Sequence, residues 1–270
     1  MSVRLSIVVV LLALPFLTPA QGDLAYDEAS LAAYSGGWTN GSNGGAGFGA
    51  WVLTDDPQTG FAGPFRTTAA NTDLNGIGTG TTATNAWGTY ANGGGYNQVV
   101  AYRGLSLDED ETFEVSIENG TVQSGGSAGF CLRTGNVNSV VGDYNTGARF
   151  EFSFIGGSNN YFIFDSDIYY DTGIGWQDSG LQLSLTLTSA DTYDLTVIQL
   201  ASATTNVFTG RTLGGTSGAA IESVSMFNRD TETGDVYFNE MGIIPEPSSM
   251  YMMIMGASGL ILTWIRKRYC

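Results

Sequence analysis

Apolar and polar residues alternate one by one along several short stretches of this chain. Phe113, Val115 and Ile117 alternate with polar residues, and the phenylalanines of 150–154 do the same. Successive side chains of a β-strand point to opposite faces, so each stretch has one buried face and one exposed face. Few stretches have helical spacing, and residues 26–34 would give one or two turns at most. The pattern therefore predicts an all-β fold.

The number of such stretches indicates the architecture. Residues 181–187 and 193–197 alternate most regularly, and the polar turn at 189–192 between them predicts a hairpin. Further strands are predicted at 47–54, 86–91, 98–103, 128–133, 161–165, 206–212, 221–228 and 235–242. About a dozen strands at this spacing predict a two-sheet, jelly-roll-like β-sandwich, here a single domain over 21–244.

The charge balance limits the partners. The chain has 26 acidic against 10 basic residues, a formal net charge of −16 and no histidine. An acidic field repels nucleic acid and anionic lipid, so neither is an expected partner of the sandwich. An acidic glycan would need a bridging divalent cation.

The first twenty residues predict a secretory signal peptide. A basic residue at Arg4 precedes an apolar stretch over 5–16, and small residues stand before a cleavage point between Ala20 and Gln21. Pro15 and Pro19 oppose the alternative of a buried helix. The chain is therefore expected to be exported.

The last residues differ from the rest of the chain. No charged residue occurs over 248–265, and as a helix the part from Met250 to Ile265 would reach about 24 Å, somewhat short of a ~30 Å hydrocarbon layer. Flanking groups can compensate for a short span. The basic residues at 266–268 favour the cytoplasmic side, so the segment predicts a C-terminal transmembrane helix.

This tail resembles a known class of sorting signal. It has three elements in order: the motif Pro245-Glu246-Pro247, the apolar span 248–265 and the basic cluster Arg266-Lys267-Arg268. The order resembles the PEP-CTERM signal of exported bacterial proteins, and the resemblance covers 245–270 only. Two features depart from the pattern: the span is short, and Tyr269-Cys270 follow the basic cluster. A plain C-terminal membrane anchor stays open as the alternative.

The resemblance implies a processing route. In that family the tail holds an exported protein transiently in the inner membrane until a membrane enzyme, an exosortase, cuts near the motif. The family is linked with extracellular polymer and biofilm material. The resemblance thus implies a final place at the cell surface or in the extracellular matrix, with an extracellular polysaccharide as a possible partner.

Aromatic residues supply the candidate ligand-binding residues. Some short segments, such as Gly36-Gly37-Trp38-Thr39-Asn40-Gly41, are similar to segments of secreted bacterial lectin-like jelly rolls. An exposed aromatic ring stacks well on a sugar ring, although a sandwich also needs large residues in its core. The candidates in or beside strands and loops are Trp38, Trp87, Tyr90, Tyr169, Tyr170 and Trp176.

One acidic stretch is a candidate metal site. Asp165, Asp167 and Asp171 lie close together in the sequence, and carboxylate oxygens are the ligands that calcium prefers. Their spacing does not match a helix-loop-helix calcium loop. The alternative interpretation is an acidic turn in solvent.

No catalytic residue is predicted. Glu114, Glu118 and Glu151 are candidates for the paired carboxylates of a glycoside hydrolase, but the Glu-x-Asp-x-x-Glu arrangement of jelly-roll glucanases is absent. Cys131 has no histidine to activate it, so it is predicted to pack as a small buried hydrophobe. The sequence therefore favours a noncatalytic, polysaccharide-associated protein, with a secreted hydrolase or lyase, or a purely structural matrix protein, as the alternatives.

Overall fold

The computed structural model describes residues 24–68, 74, 85–135, 140–230 and 233–245. These residues form fifteen strands and two single turns of 3-10 helix, at Ala32–Tyr34 and Val141–Asp143. The strands are β1 Ala25–Asp27, β2 Val52–Pro57, β3 Phe61–Thr68, β4 Asn85–Asn92, β5 Asn97–Leu107, β6 Glu111–Asn119, β7 Ser127–Arg133, β8 Ala148–Ile155, β9 Asn160–Phe164, β10 Tyr170–Gly175, β11 Leu181–Ser189, β12 Thr192–Gln199, β13 Thr204–Thr212, β14 Ile221–Asp230 and β15 Thr233–Pro245.

The strands form two sheets, and each pairing within the described ranges is antiparallel. Sheet I has the order β13-β12-β11-β6-β15-β4-β3, with β1 also paired to β15. Sheet II has the order β10-β9-β8-β7-β14-β5-β2. The chain changes sheet at each step from β4 to β7 and from β13 to β15. The predicted all-β, two-sheet sandwich is therefore confirmed.

The core lies between the sheets and is filled by the alternating residues. Phe113 of sheet I lies 5.9 Å from Phe130 of sheet II, between ring centroids. Phe150 of sheet II lies 5.2 Å from Tyr193 of sheet I in an edge-to-face contact. The intervening polar residues of each strand point away from this layer, as the period of two requires.

Most predicted strands are confirmed, including the hairpin of β11 and β12 with its turn at 189–192. Three strands were not predicted: β1, β3 and β10. Pro64 lies within β3, where a proline is tolerated because β3 is an edge strand of sheet I. Gly173, with φ +70°, interrupts β10 at the edge of sheet II. The proline and the glycine hide the strand pattern of β3 and β10, whereas β13, which is also an edge strand, is predicted from its alternation.

A buried ion pair attaches the N-terminal segment to the sandwich. Arg103 of β5 and Asp27 of β1 pair at 2.5 Å, and both side chains are inaccessible to solvent. Tyr34 donates a hydrogen bond to Asp27 and accepts one of 3.2 Å from Trp51 Nε1. The guanidinium of Arg103 also lies 4.8 Å from the ring centroid of Trp51. These contacts fix the loop between β1 and β2 against the end of the core.

Trp38 and Trp87 belong to this buried cluster, which corrects their prediction as ligand-binding residues. Their exposed fractions are 3% and 0%. Their ring centroids lie 6.1 Å apart, and Trp51 contacts both of them. The sandwich needs large side chains where the loop meets the sheets, so these two rings are core residues.

Replacing Asp27 by Asn is expected to lower the free energy of unfolding by about 3 kcal/mol, because Arg103 would keep a buried charge without its counterion. Urea unfolding followed by fluorescence measures the change. Asp167→Asn is the matched control, since Asp167 also pairs with an arginine but is 70% exposed, and its loss should cost less than about 1 kcal/mol. Equal losses in the two variants would contradict a special role for the buried pair.

Candidate functional site

The four remaining candidate aromatics lie in different places. Tyr90 lies half-buried on the outer face of sheet I, whereas Tyr169 is 57% exposed and contacts Phe162 at 4.2 Å on the outer face of sheet II. Tyr170 is half-buried, and the guanidinium of Arg211 lies 3.9 Å from its ring centroid. Trp176 is 40% exposed at one end of the sandwich. The structure therefore does not assemble the predicted aromatics into one surface.

Trp176 lines an open depression of about 300 Å³. The depression lies where three loops meet: the loop after β6, the turn between β8 and β9, and the segment after β10. Its lining residues are Thr121, Val122, Phe154, Gly157, Ser158, Asn159 and Trp176. An exposed indole thus lies beside hydroxyl and amide groups in a concave part of the surface.

Hydrogen bonds hold the indole in place. Trp176 Nε1 donates to the carbonyl oxygen of Asn119 at 3.0 Å, and its backbone N–H donates to the carbonyl oxygen of Asn159 at 3.1 Å. The side chain of Asn119 in turn accepts a 2.7 Å hydrogen bond from Tyr161. The indole is therefore anchored at its polar edge, while part of the ring stays exposed.

The polar lining of the depression was not predicted from the sequence. Thr121, Ser158 and Asn159 stand in ordinary turns, next to glycines at 120 and 157. Their sequence signal is that of a turn, and only the packing of three turns at one end of the sandwich brings them to Trp176. No pattern within a single segment records that meeting.

The predicted calcium site is not formed by its three aspartates. Asp165 is buried and accepts hydrogen bonds from Arg211, at 2.8 Å to Nε, and from Tyr193, at 2.6 Å. Asp171 accepts hydrogen bonds from Asn160 instead. Among the described residues no group of three acidic, histidine or cysteine side chains is close enough to hold a metal ion. An arginine thus neutralises the carboxylate that was expected to bind the cation.

The three glutamates do not form a hydrolase pair either. Glu114 and Glu118 lie half-buried on β6, and they alternate with core residues on the outer face of sheet I. Glu151 alternates with Phe150 and Phe152 on β8, so it lies on the outer face of sheet II. Two stacked sheets lie about 10 Å apart, so the whole sandwich separates Glu151 from the other two. Glu114 and Glu118 are four residues apart on one strand, which is about 13 Å, too far to flank one glycosidic bond.

Glu151 is buried in an unusual setting. It is 6% exposed, and Ser153 donates a 2.9 Å hydrogen bond to its Oε1. Its cross-strand neighbours are Phe164 and Cys131. Burial raises the pKa of Glu151 to about 7, against the opposing effects of the Ser153 hydrogen bond and the positive charge of Arg229. Glu151 is thus a carboxyl group that gains and loses its proton near neutral pH.

Cys131 lies beside it on β7 and is fully buried and free. Burial raises the pKa of its thiol well above the ordinary value. A buried thiol that resists ionisation is a poor nucleophile, so the prediction that Cys131 packs as a small hydrophobe is confirmed.

The raised pKa of Glu151 makes stability depend on pH. The unfolded chain ionises this group near pH 4.5 and the folded chain only near pH 7, so ionisation favours the unfolded state between these values. The free energy of unfolding, relative to that of Glu151→Gln, should fall by about 3 kcal/mol from pH 4 to pH 8. Urea titrations of both proteins across this range measure it.

A difference that stays constant with pH would contradict this environment for Glu151. Ser153→Ala supplies a directional control. It removes the hydrogen bond that lowers the pKa of Glu151, so the fall in stability should extend to higher pH than in the unmodified protein.

Comparisons with known proteins give fold likenesses only. No protein-family model and no curated protein sequence matches the chain. A carbohydrate esterase of the Shiga toxin-encoding bacteriophage phi24B aligns at 13% identity over 83% of this chain and 99% of its own, with a TM-score of 0.44. The CBM2 module of the evolved Dit of Lactobacillus casei BL23 phage J-1 aligns at 10% identity over 83% and 98%, with a TM-score of 0.43.

A Bacillus subtilis protein of unknown function with a galectin-like fold aligns at 6% identity over 72% of this chain and 89% of its own, with a TM-score of 0.42. At these identities and TM-scores, none of the three proteins indicates what this chain binds or whether it is an enzyme.

Proposed function

We propose that the protein is an exported, noncatalytic β-sandwich of the cell surface or extracellular matrix that binds polysaccharide through the Trp176 depression. The observation that carries the proposal is the anchored, 40% exposed indole of Trp176 beside the polar groups of three loops. An aromatic ring stacks on the C–H face of a sugar, while hydroxyl and amide groups bind its hydroxyls.

The chemistry of the depression favours a neutral sugar. Its lining residues are aromatic, aliphatic, hydroxyl, amide or glycine, and none of them carries a charge. The chain as a whole has a formal net charge of −16, which disfavours an anionic glycan without a bridging cation. Neutral polysaccharides are therefore the ligands to test first.

The surroundings of Glu151 favour binding over hydrolysis. A glycoside hydrolase needs two carboxyl groups, one on each side of the scissile bond, about 5 to 9.5 Å apart. Glu151 has a pKa suited to a general acid, which is the one observation in favour of a hydrolase or lyase. Its hydrogen-bond partner is Ser153 and its cross-strand neighbours are Cys131 and Phe164, none of which is a carboxylate.

Replacing Trp176 by Ala is expected to weaken polysaccharide binding about tenfold, which equals 1.4 kcal/mol, because the stacking surface is lost. Affinity electrophoresis of the sandwich, residues 21–244, in gels that contain neutral polysaccharides measures the change. Trp176→Phe keeps a ring and should retain part of the affinity. Tyr169→Ala is the matched control, since Tyr169 is exposed but lies outside the depression.

The outcomes separate the candidate functions. Retardation without release of reducing sugar, and its weakening in Trp176→Ala, is the expected result. Release of sugar that Glu151→Gln abolishes would establish the hydrolase instead. Absence of retardation on gels with neutral and acidic polysaccharides, with calcium or with chelator, would leave a purely structural matrix protein.

The C-terminal tail, residues 245–270, is proposed to be a sorting signal. Glu246 to Cys270 and residues 1–20 lie outside the described residues. Among the residues that the structure does describe, no helix is long and apolar enough to cross a membrane. The signal peptide, the span 248–265 and exosortase processing at the motif of 245–247 are proposed from the sequence order alone. Pro245 ends β15, opposite Glu111, so a cut at the motif would leave the sheet intact.

Intact mass spectrometry of the protein in a bacterium that has an exosortase tests this part. The expected mature chain begins near Gln21 and ends near the motif of 245–247. Changing Pro245, Glu246 and Pro247 together to alanine should leave a membrane-bound chain that keeps the basic cluster at 266–268. A secreted chain whose mass reaches Cys270 would contradict processing, and an unmodified protein that stays in the membrane would establish a plain anchor.

A further inference from the structure

A second group of aromatic side chains lies on the outer face of sheet I. Phe65 of β3, Tyr90 of β4 and Tyr237 of β15 are each half-buried, and we call them the sheet I patch. The ring centroid of Phe65 lies 6.1 Å from that of Tyr90 and 5.9 Å from that of Tyr237. Phe61, four residues before Phe65 on the same face of β3, is 68% exposed.

Glycines lie beneath two of these rings. Gly88 pairs with Phe65 and Gly63 pairs with Tyr90 across the β3–β4 ladder. A Cβ at Gly88 would collide with the ring of Phe65, and one at Gly63 would lie 2.8 Å from the hydroxyl oxygen of Tyr90. Each ring therefore covers bare backbone of the opposite strand and leaves its other side towards solvent.

Polar groups border the patch on one side. Tyr237 donates a 3.2 Å hydrogen bond to Asp235, and both residues point away from the core on β15. Tyr237 also lies opposite Glu118 of β6 in the sheet register. Burial raises the pKa of Asp235, against the effect of the Tyr237 hydrogen bond. The rings thus lie on β3, β4 and β15, and the hydrogen-bonding groups lie beside them on β15 and β6.

We propose that the sheet I patch is a second binding site, which takes the pyranose rings of a neutral polysaccharide. Phe65 and Tyr90 supply stacking surfaces, and Asp235 with the hydroxyl of Tyr237 supplies partners for sugar hydroxyls. This deepens the proposed function and rests on it for the class of ligand. With a site on the face of sheet I and another at the end of the sandwich, one molecule would bridge two polysaccharide chains.

Other occupants fit the patch less well. A second copy of the chain would bring together two strongly acidic molecules, each with a formal net charge of −16. An anionic lipid surface or nucleic acid would be repelled by the carboxylates at Asp235 and Glu118. A neutral sugar has no such cost, and its hydroxyls can bind the same carboxylates.

The test uses residues 21–244 and four proteins: the unmodified chain, Trp176→Ala, Phe65→Leu/Tyr90→Leu and the triple variant. Leucine keeps apolar cover over the glycines but removes the planar rings. Phe208→Leu is the matched control, a half-buried aromatic elsewhere on sheet I. Affinity gels with xylan, galactomannan and mixed-linkage glucan measure binding, and light scattering of protein–polysaccharide mixtures measures bridging.

The expected result is residual retardation in Trp176→Ala and in the double leucine variant, with none in the triple variant. Light scattering should rise with the unmodified chain and with Phe208→Leu only, because bridging needs two sites. If Trp176→Ala alone abolishes retardation, the patch binds no sugar and the inference is overturned, while the proposed function stands. If the double leucine variant alone abolishes it, the patch is a site and the Trp176 depression is not.

A measurement on the unmodified chain covers the case of a misfolded variant. Hydroxyl-radical footprinting with mass spectrometry is done with and without the retarding polysaccharide. It compares oxidation of the patch residues Phe65, Tyr90 and Tyr237 with oxidation of Val207, which lies outside the patch. The polysaccharide is expected to protect the patch residues and to leave the oxidation of Val207, which is 59% exposed, unchanged. The inference is overturned if the polysaccharide does not change oxidation of the patch residues. It is also overturned if raising the protein concentration alone protects them, because that would show pairing of two copies. Absence of retardation on every gel overturns both the inference and the proposed function.

Discussion

The apolar layer between the two sheets sets the direction in which each strand residue points. Contacts such as Phe113 with Phe130 and Phe150 with Tyr193 cross this layer, and a strand contributes to it with every second residue. The other residues of each strand are thereby assigned to an outer face. That single rule places Glu114 and Glu118 on one side of the protein and Glu151 on the other, and it separates carboxylates that the sequence leaves close enough to consider as a pair. It also creates the outer face of sheet I, where aromatic rings cover glycines instead of filling the core.

Charged residues at the borders of the sandwich serve packing more than binding. Arg103 neutralises Asp27, and Arg211 neutralises Asp165, so two of the few basic side chains are used inside the protein. Arg149 is also buried and donates hydrogen bonds to the carbonyl oxygens of Gly214 and Thr216 and to Asp191. An acidic chain with few basic residues thus uses its arginines to attach loops to the sheets. The same use explains why the aspartate stretch at 165–171 does not form a calcium site.

The candidate site shows what can be predicted from one segment at a time. Trp176 was predicted because an aromatic residue beside a turn is a typical sugar-stacking group, and it lies exposed in a depression. Trp38 and Trp87 have equally favourable local sequences but are buried, because the loop between β1 and β2 folds back over the end of the core. Phe65 and Tyr237 lie at the surface but were not predicted as candidate binding residues. Pro64 breaks the alternating pattern of the edge strand β3, so the strand that carries Phe65 was not predicted. Tyr237 lies next to Gly88 of the neighbouring strand, and this pairing cannot be seen in either segment alone.

Local pattern is enough to predict the all-β class, most strands, the β11–β12 hairpin and the burial of Cys131. These follow from the period-two alternation and from turn residues, which are local properties of the chain. The signal peptide and the sorting tail also rest on local order, although they lie outside the described residues. Which aromatics reach the surface, which carboxylates are neutralised and which loops meet at Trp176 depends instead on how the two sheets and their loops pack. The physical reason is that strand order and loop packing bring together residues far apart in the chain, and no local period carries that information.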